Sequence, residues 1–149
     1  MAVIKKDQSI GIILFYAFPR STKFLILKHR KGHWSFAKGH KDKGETPILT
    51  AGRELLEEAG IDDVRFLSKK ILFSETYAYS NRNKEKILKS VDYFLAESFT
   101  KKVKIDKKEI TNYRWCTIKA AAKIITFNES KKLLRKASQW LNKNINKKK

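Results

Sequence analysis

One domain of the α/β or α+β class, with helices covering a β-sheet, is the architecture this 149-residue chain predicts. Two observations carry the expectation. Apolar runs rich in β-branched and aromatic residues recur between residues 9 and 118, and segments with helical period and helix-capping residues are interspersed among them. The length adds a third, because a chain of this size buries roughly 68–70% of the surface its unfolded form exposes and needs no staples.

Taken in order, SIGIILFYAF (9–18) and KFLILKHR (23–30) read as strands separated by a Pro-Arg-Ser-Thr turn. HWSFAKGH (33–40) leads into a helix start at Glu45-Thr46-Pro47. There Thr46 offers an N-cap oxygen, Pro47 sits where its missing N–H costs nothing, and Gly60 supplies the stop. VRFLSKKILFSETYAY (64–79), SVDYFLAESF (90–99) and ITNYRWCTI (110–118) are three further strand-like stretches. Charged connections, NRNKEK and TKKVKIDKKE, separate them. AAAKII (120–125) and ESKKLLRKASQWLNK (129–143) read as helices, the second with Leu133, Leu134, Ala137 and Leu141 at helical spacing. A single domain is expected over 1–149, ending in a frayed basic tail at about 142–149.

Composition narrows the partners. Lys and Arg total 34 against 15 acids, a formal net charge of +19, so the surface attracts polyanions. The excess is chiefly lysine, which serves phosphate as a flexible point charge rather than reading base edges. A lone Cys116 excludes an internal disulfide and points to a reducing compartment, the cytoplasm. Cys116 and the neighbouring Trp115 read as strand core, since no base is placed beside the thiol. IGIILFYAF reads as a buried strand rather than a signal segment, and no apolar run approaches the length of a membrane span. A monomer is the simpler expectation for oligomeric state.

Against this basic background Glu54, Glu57 and Glu58 crowd into five residues of the helix after Thr46. At about 100° per residue, Ile48, Leu49, Gly52, Leu55, Leu56 and Ala59 fall on one half, expected to pack, and the glutamates fall on the other, expected to face outward. Like charges at i, i+3 and i, i+4 cost roughly 0.2–0.5 kcal/mol per pair, and anions in a last helical turn lose about 0.3–1 kcal/mol each. Helix propensity does not justify that choice. Two readings remain on these residues alone: a solvated face partly neutralised by Arg53 and nearby lysines, or a seat for a hard divalent cation.

The flanking residues add a resemblance. Gly39, then five residues to Glu45, seven more to Arg53-Glu54-Leu55, one to Glu57-Glu58 and one to Gly60-Ile61 fills every fixed position of the Nudix box, so the chain resembles the Nudix hydrolases. That resemblance implies a Nudix fold, an α/β/α sandwich around a mixed β-sheet. It also implies Mg2+-dependent hydrolysis, with Mn2+ as the substitute, of a nucleoside diphosphate linked to another group. Glu57 and Glu58 are then metal ligands, and Glu54 is either a further ligand or the group that orients or deprotonates water. Arg53 fixes a box carboxylate, and Glu45 locks the loop to the helix.

HWSFAKGH, KSVDYFLAE and KKEITNYRW are similar to the asymmetrical diadenosine tetraphosphate hydrolases over roughly Ser9 to Leu134, departing at Ala37 where proline is usual. This likeness implies cleavage of diadenosine tetraphosphate to ATP and AMP. Glu109, four residues before Tyr113-Arg114-Trp115, matches a glutamate outside the box that supplies a further ligand or base. Lys38 and His40 would sit beside the phosphates, with the Lys38 carbonyl reaching a metal; the other reading of His40 is an exposed loop histidine. Lys84, Lys86 and Lys89 either contact distal phosphates or are ordinary surface lysines. Tyr77 and Phe127 either sandwich adenine or belong to the core, while Trp34 and Trp115 pack. The rival substrate is an RNA 5′ end, favoured by charge but opposed by WSFAKGH, where RNA 5′-pyrophosphohydrolases commonly carry a glutamine- and glycine-rich version. A basic binding module without hydrolysis has no need to retain mutually repelling acids.

Overall fold

The computed structural model describes residues 4–145. In chain order these form β1 (Ile4–Phe18), β2 (Ser21–His29), β3 (Trp34–Ser35), β4 (Ala37–Gly39), α1 (Pro47–Ala59), β5 (Val64–Phe66), β6 (Phe73–Ser80), β7 (Lys86–Ser98), β8 (Ile110–Cys116), α2 (Ile118–Ile124) and α3 (Asn128–Ile145). The spine is β1 lying parallel to β7 from Ile4↔Lys86 to Phe15↔Glu97, and the other strand pairs are antiparallel. The sheet is therefore mixed.

Alternation along the strands makes two cores. Ile12 and Leu14 of β1 face one way, with Leu25, Leu27, Phe94 and Ala96, and receive Ala51, Leu55 and Ala59 of α1. Ile13 and Phe15 face the other way, with Phe24, Ile26, Tyr93 and Leu95, and receive Ala121 of α2 and Leu133, Leu134, Ala137 and Leu141 of α3. A sheet apolar on both faces and covered on both gives the α/β/α sandwich that the sequence implied.

Several boundaries differ from the sequence expectation. Residues 64–79 split into β5 and β6, because the chain leaves β7 between Leu67, bonded to the Leu95 carbonyl, and Leu72, bonded to that of Tyr93. The detour is a small turn in which Lys70 N–H donates to Ser68 Oγ at 3.0 Å. β1 and β7 both begin earlier than their apolar runs, since polar residues of each strand are zipped to the other. The hairpin of β6 with β7 is closed by Asn81, whose carboxamide accepts the N–H of Asn83 and Glu85, while Lys84 takes a left-handed φ of 59°. Lastly, α3 continues through Ile145, so the first half of the expected frayed tail is helix; residues 146–149 lie outside the described residues. No helix among the described residues is long and apolar enough to cross a membrane.

Helix α1 is rotated relative to its amphipathic pattern. Its buried side comprises Thr50, Ala51, Glu54, Leu55, Glu58 and Ala59, whereas Leu49 and Leu56, expected to pack, are 60% and 48% exposed. Glu54 and Glu58 do not face outward. The helix can turn them in because protein hydrogen bonds meet both carboxylates there.

Candidate active site

The loop from Gly39 to Glu45 is tied to α1 by one guanidinium. Arg53 Nε donates to Glu45 Oε2 at 2.7 Å and Nη2 donates to Glu45 Oε1 at 3.0 Å, a two-point pairing, while Nη2 also reaches the His40 carbonyl at 2.8 Å. Nη1 meets Glu54 Oε1 at 2.9 Å and Glu57 Oε1 at 3.1 Å. Glu45 further accepts the Asp42 N–H and the Thr50 hydroxyl. Hydrogen bonds from Arg53, then from the Asp42 N–H, hold its carboxyl down at about 2.

On the buried side of this frame, Glu54, Glu58 and Glu109 bring carboxylate oxygens within 4.8 Å of one another. Glu109 closes the loop before β8. Arg30 pins that loop: its backbone N–H donates to the Glu109 carbonyl, and its guanidinium donates to the carbonyls of Lys107 and Lys108. Burial, then the charges of Glu54 and Glu109, pushes Glu58 up to about 8, although the Lys38 N–H at 3.0 Å works against it. Burial likewise raises Glu54. Gly39 is what admits the cluster, because a Cβ there would overlap the Glu54 carboxylate. Three converging carboxylates, two raised by their surroundings, fit a divalent cation: each offers a hard oxygen, and the Arg53 pairing at Glu54 offsets only part of their charge. Glu57 stands apart from this cluster, half-exposed and paired with Arg53.

A second half of the site is cationic and aromatic. Lys38, on β4, sends its N–H to Glu58 and its Nζ to the Tyr77 hydroxyl at 3.2 Å, so one residue links the acids to the aromatics. Burial brings its ammonium down to about 8, with Glu75 opposing the shift. Tyr77 and Phe127 stack on each other, centroids 4.6 Å apart and planes 17° apart. A base between them needs about twice that spacing, so the pair must part to admit one. Phe127 is half-buried and outside both cores. Trp34 and Trp115 pack against the cores and Cys116 is buried, as expected.

The lysines separate. Lys89 is buried and shares a row with Tyr77, its registered partner on β6. Lys86 is three residues away in a regular strand and so points to the opposite face. Lys84 is exposed in the hairpin turn. His40 is exposed, with Nε2 2.6 Å from Asp7 Oδ1.

Several participants escaped sequence reasoning. His29 lies 3.8 Å from Glu58 and stacks on His33, centroids 4.6 Å apart, and His33 in turn tilts against Phe127. Burial, then the charge of Lys38, lowers His29 to about 4; burial, then His29 itself, lowers His33 to about 3. Both are neutral near pH 7, and the buried His33 Nε2 has no hydrogen-bond partner among the described residues. Glu75 is buried beneath Lys38, accepting from the Tyr93 hydroxyl at 2.9 Å and the Ser130 hydroxyl at 2.6 Å. The available signals were His29 at an inward position of β2 in step with Leu25 and Leu27, and His33 inside the very HWSFAKGH segment that yielded Lys38 and His40.

Residues 6–137 match the model of the NUDIX domain. The chain belongs to the Nudix family. Among curated relatives, the asymmetrical bis(5′-nucleosyl)-tetraphosphatase of Mus musculus is 34% identical over 143 residues, covering 90% of this chain and 95% of that protein. Among solved structures, an Ap4A hydrolase binary complex from Caenorhabditis elegans superposes with a TM-score of 0.76 at 31% identity, covering 91% of this Nudix chain and 97% of its own. A shorter match, 35% identical over 61 residues, links 40% of this chain to 39% of an RNA pyrophosphohydrolase from Helicobacter pylori.

Proposed function

We propose that this Nudix protein hydrolyses diadenosine tetraphosphate with water to ATP and AMP, with Mg2+ as its cation and Mn2+ able to replace it. The observation carrying the proposal is the meeting of Glu54, Glu58 and Glu109 beside Lys38, which itself touches the Tyr77–Phe127 pair. One small region thus offers a cation seat, a phosphate partner and a base-stacking surface. The full-length likeness to asymmetrical tetraphosphatases supports the same substrate.

Glu54, Glu58 and Glu109 would hold the cation, which when bound neutralises phosphate charge and lowers the pKa of water. Glu57 stays in the proposed ligand set by its place in the motif, which requires its carboxylate to leave Arg53; the Lys38 carbonyl is a further candidate. Arg53 keeps the loop and helix in register so that the acids converge. Lys38 Nζ and Lys89 Nζ present positive charge to the polyphosphate, and its length and charge make positioning and electrostatics the main catalytic demands. Tyr77 and Phe127 part to stack an adenine, a contact worth about 1–3 kcal/mol per base in comparable sites. Lys84 and Lys86 act at longer range through charge, and His40, hydrogen-bonded to Asp7, sits beside the phosphate chain. The protein is proposed to work as a single domain and a monomer in the cytoplasm.

Incubation with the dinucleotide and Mg2+ tests this directly: ATP and AMP in equal amounts are expected, and two molecules of ADP would contradict it. Replacing Glu58 or Glu109 by Gln is expected to slow turnover at least a hundredfold. The second reading, an RNA 5′-end pyrophosphohydrolase, rests on the charge of +19 and the partial match to the Helicobacter pylori protein. Competition between triphosphorylated RNA and the dinucleotide at physiological salt separates the two.

A further inference from the structure

The phosphate end of the proposed site contains a negative charge that no box residue accounts for. Asp7 of β1 is registered beside Lys89 of β7, which is registered beside Tyr77 of β6, so the three side chains form one row on the α3 face of the sheet. Lys89 Nζ donates to Asp7 Oδ2 at 2.8 Å and to Ser9 Oγ at 2.5 Å, and its side chain is only 9% exposed. The other Asp7 oxygen, Oδ1, meets His40 Nε2 at 2.6 Å. One carboxylate therefore occupies both basic groups, and only one of the three Lys89 N–H donors is left for anything else. Although burial pushes the Asp7 carboxyl up, hydrogen bonds from Lys89 and His40 hold it below the usual carboxylate range.

We infer that Asp7 is an internal counter-anion that satisfies Lys89 and His40 in the free protein and lowers the affinity of this end of the site for every phosphate anion. The inference rests on the dinucleoside polyphosphate reading. Two physical requirements meet in Asp7. An ammonium as buried as Lys89 needs a partner when no substrate is present, and a carboxylate supplies one. A carboxylate fixed beside that ammonium also repels an arriving phosphate, and the penalty is paid again as relief when the phosphate leaves. Mononucleotide products and free phosphate, which make few other contacts, are thereby kept from filling the site. A dinucleoside polyphosphate gathers additional attraction from Lys38, the aromatic pair and the cation.

The test measures binding without turnover. Inorganic pyrophosphate and AMP are titrated calorimetrically, in the presence of a chelator, into the wild-type chain and into Asp7→Asn, Asp7→Glu and the double variant Asp7→Asn, Lys89→Gln. Asparagine keeps an acceptor for Lys89, and circular dichroism checks that each variant is folded. Asp7→Asn is expected to bind both ligands about tenfold more tightly. Asp7→Glu should return affinity toward the wild-type value, and the double variant should lose the gain. Tighter binding is a result that mere loss of structure does not produce. Unchanged or weaker binding by Asp7→Asn overturns the counter-anion while leaving the phosphate site standing. Absence of pyrophosphate binding in wild type and Asp7→Asn alike overturns the phosphate site itself, and the inference with it.

Discussion

Single residues decide whether three acids share a space this small. Gly39→Ala places a methyl group against the Glu54 carboxylate. That carboxylate ends a flexible side chain, so the expected outcome is a melting temperature within a few degrees of wild type but Mg2+ affinity lowered at least tenfold, read by calorimetry. Glu58 has the opposite character, because its cost is borne by the empty protein. Its folded value of about 8 lies above the 4.5 of an unperturbed glutamate, so the folded state holds the proton more tightly. The penalty for burying its charge is absent below pH 4.5 and grows as pH rises toward 8. Glu58→Gln keeps the acceptor for Lys38 and removes the charge. In chelator it should melt higher than wild type at pH 8, by on the order of a few kcal/mol, with the gap closing at pH 5. His29 and His33, at about 4 and 3 against 6.5, cost stability as pH falls below 6.5, but both proteins share that cost and it cancels in the difference.

Elements are held where they are by a few polar ties across otherwise apolar contacts. Arg53 fastens the Gly39–Glu45 loop to α1, and Arg53→Ala should lower stability by about 3 kcal/mol in denaturant melts, since hydrogen bonds to charged groups are worth about 1.5–3 kcal/mol. Ser130, at the start of α3, ties that helix to Glu75 of β6. Ser130→Ala leaves one Glu75 oxygen unpartnered in a buried position, at an expected cost of about 1–3 kcal/mol. Phe127 precedes Ser130 by three residues, so the same change should loosen the Tyr77 stack and appear as altered tyrosine fluorescence. How far the sequence revealed this level depends on the kind of force involved. Thr46 and Gly60 marked both ends of α1, because caps are local; Thr46 accepts from Leu49 N–H and Gly60 has a φ of 69°. The outward face assigned to Glu54 and Glu58 was wrong, because hydropathy treats carboxylates as water-seeking and takes no account of a Lys38 N–H arriving from β4. Asp7 and Glu75 were illegible for the same reason: their partners lie 82 and 55 residues away.

The whole molecule is a strongly basic body in which three acids, Glu54, Glu58 and Glu109, converge at one point. A charge of +19 on 149 residues raises the local concentration of any polyanion and is screened over about 8–10 Å at physiological salt. Raising ionic strength from 0.05 to 0.2 M should therefore increase KM for a dinucleoside polyphosphate severalfold and leave kcat nearly unchanged, as steady-state kinetics will show. The sandwich itself was legible as a class from alternating strands and capped helices, whereas strand order was not, since nothing local says that the first strand lies beside the seventh. That neighbour relation also governs when the molecule can form. Ile4 to Phe15 pair with residues 86–97, so although β2 and β4 can pair with one edge of β1 early, its other edge stays open until the chain has been made as far as Glu97. During translation, the nascent segment around Ile12–Phe15 is bonded along one edge only until β7 arrives, and it is at that open edge that a chaperone capturing stalled chains should be found.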